Sequence, residues 1–304
     1  SALSYGVTDE SCLSVWPRGA NMSWRLEVTH HTGLRYSSPV AVSFNEARMT
    51  PADSAGQLLI THELSVSPGA RVFGYTDYWG TLVEAFDVHE PHTTLEVVSH
   101  SVVDTPATAP RPEGLDWIAI AGPAVRDTWC EYLRTSDYVD NAAADSLRVD
   151  VVDRLRTMPT PRAAIDQAMA DVQSRIQYAT GTTSVSTTAH EAWERGTGVC
   201  QDFTHAMISL LRAVGIPARY VSGYLYPKEG EIGESVTGES HAWVEAWDGG
   251  WWACDPTNGT EVGERHTAVA RGRDYSDVSP LKGIYSGGES EELGVMVSLT
   301  RLPR

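Results

Sequence analysis

One helix constrains this chain more than any other segment. After Gly196-Thr197-Gly198-Val199 comes Cys200, followed by an apolar face at Phe203, Ala206, Met207, Leu210, Leu211 and Val214 at helical spacing. Gly215 stands where a left-handed residue closes a helix, and Pro217 prevents continuation. Strands follow. Residues 218–226 alternate, with Tyr220, Ser222, Tyr224 and Tyr226 on one side. Residues 241–247 and 251–255 flank Asp248-Gly249-Gly250 as two strands of a hairpin, and residues 293–302 read as one more strand. Residues 228–239, rich in Gly and Glu, read as a solvated flap. The pattern is thus a cysteine-bearing helix followed by strands, two of them paired in a hairpin.

The first half of the chain has a different pattern. Trp24, Leu26 and Val28 alternate with polar neighbours, and further short apolar runs at 58–66, 72–73, 81–88 and 95–103 are punctuated by Pro, Gly and Asn. That spacing predicts an antiparallel β domain over 22–104, a small sheet or sandwich. Its histidines, His30, His31, His89 and His92, read as surface residues. Residues 105–112 carry Pro106, Pro110 and Pro112, which makes an extended, stiff linker. Residues 113–304 then form the helical lead-in and core. Gly122-Pro123 splits 115–133 into two short segments, and Thr160-Pro161 opens a helix with Ile165, Ala168, Met169, Val172 and Ile176 on one face. Residues 1–21 read as a leader or tag, with Met22 as the natural start.

Composition excludes several classes. Forty acidic residues against 23 basic ones give a formal charge of −17, the wrong sign for nucleic acid or an anionic membrane. No run of 18 apolar residues is present, so no helix is expected to span a bilayer. Cys12, Cys130, Cys200 and Cys254 lie far apart with no C-x-x-C pair, which points to free thiols in a reducing compartment, the cytoplasm. A metal site built from Cys200, His205, His241 and Cys254 fits no zinc spacing, so neither metal nor cofactor is expected. The oligomeric state is left open.

A cysteine in the first turn of a buried helix has a specific chemical meaning. The unpaired N–H groups there favour an anion, and the thiolate is the nucleophilic form. The N–H of Cys200 could also help to hold an oxyanion. A thiolate needs a base, and the base needs an orienting partner. His241 and Asp255 sit on the two strands of the hairpin. With a three-residue loop, Trp247 pairs with Trp251 and Trp243 with Asp255, so His241 lies one diagonal step from Asp255 on the same face. With a two-residue loop, Asp255 pairs with Val244 and points away. The mechanism therefore requires the odd register.

At these residues a family resemblance enters. Gly198-Val199-Cys200-Gln201-Asp202-Phe203-Thr204-His205 resembles the nucleophile motif of the bacterial transglutaminase-like superfamily. Residues 215–224, Ser240-His241-Ala242-Trp243-Val244-Glu245 and Asp255-Pro256-Thr257-Asn258 resemble its following blocks. Residues 24–50, with Tyr36, Pro39, Asn45, Glu46, Ala47 and Arg48, are similar to the β-rich domain of bacterial members. The resemblance implies a papain-like α+β core in which Cys200 is the nucleophile, His241 the base and then acid, and Asp255 the orienter. It implies acyl transfer on a peptide or side-chain amide through a thioester, and does not choose between water and an amine as acceptor.

Other residues carry weaker claims. Trp193, Tyr224 and Asp202 are candidates to line a substrate cleft; Asp202 can equally serve the helix dipole, and the aromatics can be core. Cys254 should face away from Asp255 and be structural. His205 lies about 140° around the helix from Cys200, a poor place for a base. Hydrolysis of an amide in a peptide or protein is the preferred reading. Transfer to an amine is the alternative within the enzyme class, and a non-catalytic binding or scaffold protein retaining the fold is the rival from another class.

Overall fold

A computed structural model describes residues 23–54, 56–227 and 231–304. Residues 1–21, read above as a leader, lie outside the described residues, as does Cys12. The N-terminal part holds β1 (Trp24–Val40), β2 (Val42–Ala47), β3 (Leu58–Ser67), β4 (Val72–Thr76), β5 (Leu82–Val88) and β6 (His92–Thr105). The lead-in has α1 (Trp117–Ile120), α2 (Pro123–Thr128), α3 (Val149–Arg156), α4 (Pro161–Arg175), β7 (Gln177–Tyr178), α5 (Ala189–Arg195) and β8 (Thr197–Gly198). Then come α6 (Cys200–Ala213), β9 (Ala218–Leu225), β10 (Ser235–Trp247), β11 (Trp251–Asp255), β12 (Thr260–Glu261), β13 (His266–Gly272), α7 (Tyr275–Val278), β14 (Leu281–Ser286) and β15 (Ser290–Leu302). The class is α+β, as expected.

The N-terminal strands form a sandwich. Strands β14, β2, β5 and β4 make one sheet, and β1, β6 and β3 belong to the other. Between them Tyr36, Val40, Ala47, Met49, Phe86, Val88, Leu95 and Val97 form a small separate core. His30 and His92 are buried, not on the surface as expected. Strand parity turns His30 inward, where its imidazole bonds the Tyr224 hydroxyl at 2.8 Å and Thr32 Oγ1 at 2.9 Å. A polar side chain can sit inside when such partners are supplied.

The larger core gathers around α6. Its Phe203, Ala206, Met207, Leu210 and Leu211 pack with Ile165, Ala168 and Val172 of α4 and with Ala242, Val244 and Ala246 of β10. Local signals behave as read: Thr160 accepts the Ala163 N–H at the start of α4, and Gly215 takes φ 86° after α6. Helix α5, not anticipated, is opened by reciprocal bonds between Thr188 and Glu191 and ends at Gly196 with φ 69°. The parallel β7–β8 ladder then delivers Gly198 to the front of α6.

Strand β10 is longer than expected. Residues 235–239, assigned above to a flap, belong to it: Ser235–Gly238 pair with β15, and the rest of the strand pairs with β9 and β11. Val236 is buried in the main core, so pairing with a strand sixty residues on overrides a polar local sequence. Through β15, which also pairs along β1, the sheet of the sandwich and the sheet of the core are continuous. Among the described residues, no helix is long and apolar enough to cross a membrane.

Gly223 on β9 faces β13 so closely that a Cβ there would overlap the Thr267 carbonyl oxygen and the Trp243 ring. Gly223→Ala should therefore lower stability by roughly 1–3 kcal/mol, the usual cost of overpacking, in urea or thermal unfolding. Unchanged unfolding would mean that β9 and β13 can separate freely.

Candidate active site

The hairpin takes the odd register. Trp247 pairs with Trp251, Ala246 with Trp252, Glu245 with Ala253 and Val244 with Cys254. Side chains alternate across each strand, so Ala242, Val244, Trp252 and Cys254 enter the main core. His241 and Asp255 share the other face, and His241 Nε2 lies 2.7 Å from Asp255 Oδ2. Cys254 is buried and burial pushes its thiol pKa up, as suits a structural cysteine.

Asp255 is wholly buried and heavily bonded. Its Oδ1 accepts the N–H groups of Thr257 at 3.0 Å and Asn258 at 3.1 Å. Its Oδ2 accepts Asn258 Nδ2 at 2.7 Å in addition to His241. Burial alone would raise this carboxyl's pKa, yet the bonds from His241, His266 and Asn258 hold it far below the usual carboxylate range. His241 shows the reciprocal effect. Burial opposes its charge, but bonding to Asp255 and the nearby Cys200 side chain raise its pKa to about 10.

Cys200 opens α6. Its Sγ is 4.0 Å from the Ser240 carbonyl oxygen, next to His241 in sequence, and the residue is only partly buried. The structure thus brings Cys200, His241 and Asp255 together. A partly exposed thiol stands at a helix N-terminus, beside an imidazole anchored by a buried carboxylate. Such an arrangement can move a proton between sulfur, imidazole and a reacting group.

The three cleft candidates have other partners. Asp202 Oδ2 accepts the Val199 N–H at 2.8 Å and the Thr183 hydroxyl at 2.7 Å, which caps α6 and ties down the 179–188 loop. Burial outweighs these bonds and raises its pKa. Tyr224 is buried against His30, and Trp193 is buried in the core beside α6. Gln201, which follows the nucleophile position, holds the Val185 carbonyl at 2.9 Å and so fixes the exposed tip of that loop near Cys200. His205 is wholly buried, stacked on Tyr138, and accepts the Tyr275 N–H at 3.2 Å.

One site residue escaped the sequence reading. His266, at the start of β13, places Nε2 3.4 Å from Asp255 Oδ2. No local pattern marks it; only the return of β13 to β9 brings it there. His241, Asp255 and His266 each offer a ligand atom within 4.8 Å of the others, a set that could in principle hold a metal. However, the Gly263 N–H points at His266 Nδ1 from 3.3 Å. That bond leaves the ring proton on Nε2, the atom a metal would need, so the cluster is arranged for protons.

Comparison with known proteins agrees in extent with the fold. The profile of the Transglutaminase-like superfamily matches residues 149–256, and that of the Bacterial transglutaminase-like N-terminal region matches residues 26–104. An uncharacterized protein of Mycobacterium leprae (strain TN) is 44% identical over 280 residues, covering 92% of this chain and 99% of its own length. An uncharacterized protein of Mycobacterium tuberculosis (strain ATCC 25618 / H37Rv) is 35% identical over 300 residues, covering 90% and 92%. A crystal structure from Cytophaga hutchinsonii, provisionally assigned as a cysteine protease, superposes with a TM-score of 0.73 at 19% identity, over 93% of this chain and 92% of that one. The last likeness is one of fold.

The His241–Asp255 pair has a pH signature. Because the folded pKa of His241 is raised from 6.5 to about 10, the stability it adds is fully present below pH 6.5 and is lost as pH rises toward 10. The difference in melting temperature between wild type and His241→Gln should be largest at about pH 5–6.5 and shrink steadily above it. A difference that instead grew as pH rose through 6.5 would show that the ring is neutral in the folded protein.

Proposed function

The chain belongs to the transglutaminase-like superfamily, and we propose that it is a cysteine-dependent acyl-transfer enzyme that hydrolyses an amide in a peptide or protein. The observation that carries this reading is the His241 ring, bonded through Nε2 to buried Asp255 and lying beside Cys200. In this reading the proton shared by Cys200 and His241 rests on the imidazole, and the thiolate attacks the amide carbonyl carbon. The carbonyl π electrons move onto oxygen, where N–H groups at the start of α6 favour the negative charge. As the tetrahedral centre collapses, His241 gives its proton to the departing amine, leaving a thioester on Cys200. Neutral His241 then takes a proton from water, whose oxygen attacks the thioester. Collapse of this second centre releases the carboxylic acid and restores the thiolate–imidazolium pair. Asp255 stays ionised throughout and keeps the ring oriented.

Water is the preferred acceptor because nothing in the sequence marks a dedicated amine site. The free Cys130, Cys200 and Cys254 support a reducing compartment, the cytoplasm, as the place of action.

Two measurements test the proposal. Iodoacetamide near neutral pH should label partly buried Cys200 faster than exposed Cys130, against the order that accessibility alone would give. Peptide mixtures incubated with wild type should gain about 18 Da per cleaved bond, and Cys200→Ala should lose at least about 10³-fold of that rate. Amine-dependent adducts in place of the hydrolytic gain would assign transfer. Slow labelling of Cys200 and no mass change with any peptide would favour a binding protein.

A further inference from the structure

The hydrogen bonds around Asp255 contain a partner that the acyl-transfer mechanism above does not use. We propose that His266 is a positioning residue for the His241–Asp255 pair, presented to it by a segment that the N-terminal sandwich grips. The proposal takes its purpose from the acyl-transfer reading but can be tested without turnover.

The geometry points this way in three steps. First, the tautomer is set: Gly263 N–H donates to His266 Nδ1, so Nε2 carries the proton and faces Asp255 Oδ2. Two imidazoles therefore donate to one carboxylate oxygen, His241 from β10 and His266 from β13. Second, the His266 ring is enclosed. It is buried, and Trp243 meets it edge to face with ring centres 5.3 Å apart. The charged or titratable groups that act on it are Asp255, His241 and Arg265; burial outweighs Asp255 and lowers its pKa, so it serves as a neutral donor. On His241 the corresponding groups are Asp255 and Cys200.

Third, the segment carrying His266 is held from outside the catalytic hairpin. The Gln57 side chain accepts the Ala268 N–H at 2.8 Å and donates to the Ala268 carbonyl at 2.8 Å. The Ala52 N–H bonds the same carbonyl at 2.8 Å, and the Thr105 hydroxyl bonds the Glu264 carbonyl at 2.5 Å. All three holders belong to the N-terminal part of the chain. The sandwich thus fixes residues 264–268 in the place where His266 meets Asp255.

A second neutral donor on Asp255 draws part of the carboxylate's charge away from His241. Its loss should make His241 hold its proton more tightly. Long-range 1H–15N spectra of the imidazole rings read this directly in the resting protein. In wild type, His266 should be neutral with its proton on Nε2 across pH 7–9. In His266→Leu, the titration of His241 should move upward by about half a pH unit, roughly threefold in proton affinity. His266→Gln, which keeps an N–H donor, should return most of the way, and Gln57→Leu should give a smaller upward shift. A wild-type ring protonated on Nδ1, or a folded His266→Leu with His241 unmoved, would overturn the proposal. The wild-type tautomer decides the matter even if His266→Leu fails to fold. None of these readings depends on a substrate being found.

Discussion

A carboxylate with no exposure to solvent is the constraint around which this molecule is organised. An ionised group in that position costs several kcal/mol unless its lone pairs are matched by donors. Asp255 meets the condition with two backbone N–H groups from the turn that follows it, the Asn258 amide, and the imidazoles of His241 and His266. Those donors come from three places in the chain. The turn after β11 must be tight, the hairpin must keep its odd register, and β13 must return alongside β9. A shift of one residue in the hairpin would leave a buried charge without its imidazole. The same hydrogen bonds that make the site chemically useful therefore also select the register.

The large sheet ties this local requirement to the rest of the fold. Strand β10 pairs with β15 at its beginning and with β9 and β11 farther on, so it bends from the sandwich into the core. Strand β15 lies along β1, and Arg25 beside it makes paired bonds to Asp104 at 2.8 and 3.0 Å. The two halves of the chain are therefore not independent supports. Residues 235–238 are held by β15, and β15 lies in turn along β1. Displacing the sandwich would disturb the strand that carries His241 before it disturbed α6.

What could be read in the sequence follows the same division between local and distant causes. The limits of α6 and the N-cap of α4 are written in neighbouring residues, and the structure has them; the Asp248-Gly249-Gly250 loop allows two registers on its own, and the structure takes the odd one that a His241–Asp255 pair requires. The pairing of His241 with Asp255 was accessible because one hairpin carries both. His266 was not, since it reaches Asp255 through a separate strand whose placement depends on β9 and on Gln57. His30 was misread for a related reason: its inward side depends on a partner, Tyr224, that lies 194 residues away. The run at 235–238 has no strand signal of its own, so its pairing with β15 could not be seen locally.

The buried histidines show how partner, more than burial, decides chemistry here. His30, His205 and His241 are all enclosed by protein. For His30, burial dominates, and its pKa falls to about 4; it bonds neutral hydroxyls and remains an uncharged spacer between β1 and β9. For His205, burial outweighs Asp274 and the pKa falls to about 3, leaving a neutral ring whose Nε2 accepts a backbone N–H. His241 feels the same desolvation, yet its pKa rises to about 10, because an ionised carboxylate sits at one nitrogen and Cys200 lies nearby. Removing charge from the neighbours, not exposing the ring to water, is therefore what would turn His241 into another structural histidine. The acid–base capacity of the site resides in the pairing of a base with a buried anion that cannot itself take up the proton.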